Sequence, residues 1–152
     1  MTLHPHADAA SRLSQLVDEK FHLLVALLEK GEQQRQMIET GDATALLHLL
    51  AEKQTLISDL QRLQDAISTI QLAGELVWPS PELRGRCQAA AQQCNALGQQ
   101  VLEMEAVCER QATTQRDAMA KQIQEFSNFN SRSSNSYSLD DETHLAEFDE
   151  SS

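Results

Sequence analysis

Three long helices are the fold this chain predicts: an antiparallel helical hairpin extended by a third helix, an all-α, coiled-coil-like bundle with a disordered C-terminal tail. Three observations lead there. Leu46, Leu49, Leu56, Leu60, Leu63, Ile67, Ile70 and Val77 follow alternating spacings of three and four, with Lys53 and Gly74 as the exceptions. Leu83, Cys87, Ala90, Cys94, Leu97, Val101, Met104 and Cys108 follow the same rule without exception. Such spacing keeps one stripe of each helix facing a partner helix. Finally, the punctuation between these stretches is short, at Thr40-Gly41-Asp42 and at Trp78-Pro79-Ser80-Pro81.

The first helix is expected over residues 11–40. Residues 1–9 show no period and are expected to fray, whereas Ser11 can cap a helix that begins at Arg12 and spans roughly 45 Å. Leu13, Leu16, Val17, Phe21, Leu24, Leu27, Leu28 and Ile38 mark one broad apolar stripe. Gly31 costs about 1 kcal/mol relative to Ala. With the polar run at residues 32–36 it marks a place for a kink or local exposure, without dividing the helix.

Gly41 ends that helix in a left-handed conformation and Asp42 caps the next one, so the connection is short enough to force an antiparallel pair. The second helix is expected over residues 43–77, ended by Trp78-Pro79. Ser80 as cap and Pro81 at the first helical position open the third, over residues 81–126. Beyond Cys108 its seam positions carry Gln111 and Gln115. The apolar stripe returns out of phase as Ala112, Met119, Ile123 and Phe126, a four-residue stutter that rotates it. Whether this helix folds back along the hairpin is open at this point. Residues 1–126 form one helical domain. Residues 127–152 hold eight serines and six acidic groups against Arg132 alone, a composition that cannot bury enough apolar surface to order itself.

Composition narrows the function. The chain has 152 residues, 41% of them hydrophobic and only 4% aromatic, enough for a modest core and little for a large cofactor pocket. A net charge of −11 argues against nucleic acid or an anionic membrane as partner, because phosphates attract Lys and Arg. A basic protein partner or simple solubility fits better. No N-terminal basic region precedes an apolar run, and the longest apolar run is residues 23–28. Neither a signal peptide nor a membrane span is therefore expected. With three cysteines, an odd number, the expected compartment is the reducing cytoplasm.

Residues with chemical potential have plainer readings. Cys87, Cys94 and Cys108 lie on the seam about two and four helical turns apart, too far to share a tetrahedral ion, and read as small apolar seam residues. No histidine has a second His or Cys at i+4, so the histidines read as solvated or edge residues. No nucleophile set, phosphate loop or metal motif is present, so no enzyme activity, cofactor or metal is expected. Trp78 reads as a plug for the open end of the bundle. The stripe of Met119, Ile123 and Phe126 with Phe129 stands apart, because a Met- and Phe-rich stripe left uncovered suits recognition of a partner helix. The alternative, that the first helix covers it, stays open.

The stretch from Arg35 to Gln64, a helix end, the Gly41-Asp42 turn and ALLHLLAEKQTLISDLQRLQ with its internal Glu52-Lys53, resembles the bacterial flagellar export chaperones of the FlgN family. The likeness covers roughly residues 12–110, with Asn95 on the third helix. It departs from the family pattern at Gly98 and in the acidic tail. The resemblance implies a cytoplasmic protein that binds hook–filament junction subunits before their type III secretion, with no nucleotide or metal. From the residues themselves, an amphipathic client helix would lie along residues 101–126, on Val101, Met104, Met119, Ile123 and Phe126. The competing expectation is a structural coiled-coil or adaptor protein, a homodimer or larger oligomer held by the same seams.

Overall fold

A computed structural model describes the backbone of residues 5–137 and the side chains of residues 8–132. It contains α1 (Pro5–Thr40), α2 (Ala43–Leu72) and α3 (Pro81–Tyr137), and no strand among the described residues. The chain divides into two compact units, Met1–Gln111 and Ala112–Ser152, each treated below by itself.

In the first unit α1 and α2 form the antiparallel hairpin. Lys20 pairs with Gln64 and Lys30 with Glu52, so partners on α2 descend as α1 ascends. The turn is built as the residue types require. Gly41 sits at φ 75°, and its N–H and that of Asp42 donate to the carbonyls of Ile38 and Met37, closing a Schellman motif on α1. The Asp42 carboxylate then accepts from the Ala45 N–H at 3.1 Å and caps α2.

α3 folds back along α1, and the two run parallel in a fixed register. The Cys94 thiol donates to the Val17 carbonyl and the Cys108 thiol to the Gly31 carbonyl, each across a sequence separation of 77. Gln111 reaches the Arg35 carbonyl across 76. On α1 the matching positions recur every seven residues: Ala10, Val17, Leu24, Gly31 and Ile38, all buried. Leu13, Leu16, Val17 and Leu24 pack with Ile67, Cys87 and Cys94 into the core, and Leu76 and Trp78 lie half-buried against it.

Gly31 does not interrupt α1 and is not locally exposed. It is buried where α3 comes closest, and a Cβ there would lie 2.6 Å from Cγ of Met104. The glycine is present for close approach, and α1 continues through it unbroken to Thr40.

Three element bounds differ from expectation. α1 begins at Pro5, and Ser11 lies inside it, because Pro suits the first turn and Ala10, fully buried, extends the packed face. α2 stops at Leu72 rather than residue 77. Gly74 takes φ 121°, a conformation closed to the preceding residue types, so the position that breaks the seam also ends the helix. Val77 is accordingly exposed. α3 continues past residue 126 to Tyr137, which removes residues 127–137 from the segment expected to be disordered. No Gly or Pro occurs over residues 99–137 to stop it, and propagating a formed helix is far easier than starting one. The expected fraying of residues 1–4 and the expected disorder of residues 138–152 lie outside the described residues.

Candidate partner-binding site

The five residues expected to form one client surface fall in two settings. Val101 and Met104 belong to the first unit, where the regular seam of α3 places them. Val101 is half-buried against the core and lines a groove of about 460 Å³ together with Leu24, Leu60, Gly98 and Leu102. Met104 is half-buried, with its side chain against Gly31. Both are structural members of the helix packing, and the half-buried pair is not an open stripe.

Met119, Ile123 and Phe126 lie in the second unit and are different in kind. Their exposures are 62%, 63% and 66%, and Phe129 adds 67%. Spacings of four, three and three keep these side chains on neighbouring strips of α3, within an arc of about 120°. Every side chain described from Ala112 to Arg132 is exposed. Within this unit the apolar residues are therefore exposed. Phe129 was legible as part of the stripe from spacing alone.

The first unit also holds a charged feature that the spacing rule treated as an exception. Lys53 occupies a seam position of α2 and is 4% exposed. Its Nζ donates to Oε1 of Gln34 at 2.5 Å and to the carboxylate of Glu105. One ammonium thereby joins α1, α2 and α3 at one level of the bundle. A buried charge persists only when paired and hydrogen-bonded in this way.

The cysteines offer no reactive centre. All three are free and buried, and burial pushes each thiol up from its ordinary range, so the neutral donor form is retained. Among the described residues no cluster of His, Cys, Asp or Glu could hold a metal ion. None of the described helices is long and apolar enough to cross a membrane.

Compared with known families, the chain matches the family model described as FlgN protein over residues 1–138. The chain belongs to the FlgN family. No curated protein and no solved structure gives a match. FlgN-family membership is associated with flagellar export chaperone function. The FlgN match spans α1, α2 and the whole of α3, and so includes both the buried seam and the open stripe.

Proposed function

We propose that this FlgN-family chain is a cytoplasmic export chaperone that binds a hook–filament junction subunit through the stripe of Met119, Ile123, Phe126 and Phe129 and holds it for type III secretion. The observation that carries the reading is the exposure of these four large apolar side chains on neighbouring strips of one helix. An amphipathic client helix laid on such a stripe buries its own aggregation-prone face and is released without breaking a core. Val101 and Met104, named with the stripe from sequence, are half-buried in the first unit, so the proposal is built on the four exposed residues.

A homo-oligomer held by the seams draws less support. In the first unit, seam residues of α3 already have partners on α1 in the same chain, as Cys94 with Val17 and Cys108 with Gly31. The test is affinity capture of the tagged chain from cells in which secretion is blocked, with mass spectrometry of what co-purifies. Recovery of a junction subunit by the wild type, and its loss with Ile123→Asp and Phe126→Asp in a still-helical protein, supports the proposal. Capture unchanged by that pair of substitutions defeats the stripe assignment.

A further inference from the structure

Charge along the chain is divided in a way that the chaperone reading does not use. Residues 112–137 carry Arg116, Lys121 and Arg132 against Asp117 and Glu125, a net of +1. Residues 138–152 carry Asp140, Asp141, Glu142, Glu147, Asp149 and Glu150 with no Lys or Arg, a net of −6. The helix segment that bears the open stripe is thus slightly positive in an acidic chain, and it is followed directly by the most acidic stretch. Within that acidic stretch stand Leu139, Leu145 and Phe148. The family match ends at residue 138, so nearly all of this segment lies beyond what the family model describes.

We propose that residues 138–152 of the same chain occupy the stripe of Met119, Ile123, Phe126 and Phe129 when no client is bound, acting as a built-in competitor that the client displaces. The proposal rests on the stripe being the client site. Reach permits the contact. Phe148 lies eleven residues beyond Tyr137, a span of about 36 Å when extended and about 16 Å when helical. Phe129 and Met119 lie about 12 and 27 Å back along α3 from Tyr137, so either conformation reaches Phe129 and the extended one reaches the whole stripe.

Competition among occupants favours the tail. Four side chains of this size bury on the order of 600 Å² at most, less than the roughly 800 Å² per partner of a standard stable interface. A second copy at micromolar concentration is therefore held weakly. A segment tethered by a few residues works at an effective concentration in the millimolar range and gains further from the opposite charge of the helix. Three apolar residues suffice to shield such a stripe without outbidding an amphipathic client helix.

The experiment compares the full chain with its Leu139→Ser, Leu145→Ser, Phe148→Ser variant, following the methyl NMR signals of Met119 and Ile123 at low protein concentration and without client. The expected result is a shift of both methyl signals in the variant, together with binding of a purified hook–filament junction subunit roughly three- to tenfold tighter, as the shielded fraction is released. Identical methyl spectra overturn the proposal. Wild-type signals that move with protein concentration also overturn it, by assigning the stripe to a second copy. Methyl signals that shift in the variant while Ile123→Asp and Phe126→Asp leave client capture unchanged sustain the tail contact and defeat the client assignment alone.

Discussion

Gly31 sets how closely α1 and α3 approach, because a Cβ at that position would meet Met104 Cγ at 2.6 Å. Replacing Gly by Ala inside a helix ordinarily gains about 1 kcal/mol. Here the overlap falls near the root of the Met104 side chain, which cannot simply swing its end away, and overpacking costs about 1–3 kcal/mol. Gly31→Ala is therefore expected to lower stability by about 1 kcal/mol in urea unfolding. Combined with Met104→Ala, the loss should be less than the sum of the two single losses. The cysteines carry a pH signature. Burial raises their thiols, while in the unfolded chain they titrate near about 8.5. Below that value both states keep the proton and the thiols do not make stability depend on pH. Above it the unfolded chain releases protons that the fold retains, so stability falls as pH rises. The urea midpoint should drop between about pH 8 and 10, and a Cys94→Ala, Cys108→Ala variant should show a shallower drop.

Elements were legible where their signals are local. The Gly41-Asp42 turn, the Ser80 cap, whose Oγ accepts from the Leu83 N–H, and the α3 seam through Cys108 depend on residues within one or two turns of each other. What escaped depends on a facing helix. Ala10 and Gly31 are too small to mark a stripe, so the seven-residue repeat of α1 shows only once α3 lies beside it. Lys53 breaks the apolar pattern of α2 and reads as a lapse until Gln34 and Glu105 are seen to meet it. The true extent of α3 escaped for a different reason, since Ser and Asn weaken a helix without stopping it. The Lys53 tie makes an ordering prediction. Lys53→Met removes the charge with its desolvation cost and should be neutral or stabilising by about 1 kcal/mol. Glu105→Ala leaves a buried ammonium with Gln34 alone and should destabilise by about 1–3 kcal/mol. Thermal unfolding of the two variants side by side checks the order, and an equal loss in both would show that Lys53 contributes packing and no electrostatic demand.

At the scale of the whole molecule the chain devotes its two units to different tasks. The first unit buries Leu16, Leu24, Ile67 and Cys94 among three helices, although it also leaves single residues such as Leu47 and Leu72 exposed, whereas the second presents Met119, Ile123, Phe126 and Phe129 together to solvent on α3. A helix whose side chains all face water gains little from packing, so its stability is marginal until a partner covers it. Spacing grouped Val101, Met104, Met119, Ile123 and Phe126 as one candidate surface, but periodicity alone could not tell the half-buried first two from the exposed other three. The most direct test of the chaperone account is calorimetric titration of a purified hook–filament junction subunit into the wild-type chain and into the Ile123→Asp, Phe126→Asp variant, with helicity checked by circular dichroism. The account predicts saturable binding by the wild type and at least a hundredfold weaker binding by the variant, about 2.8 kcal/mol or more. Equal binding by both proteins would contradict it.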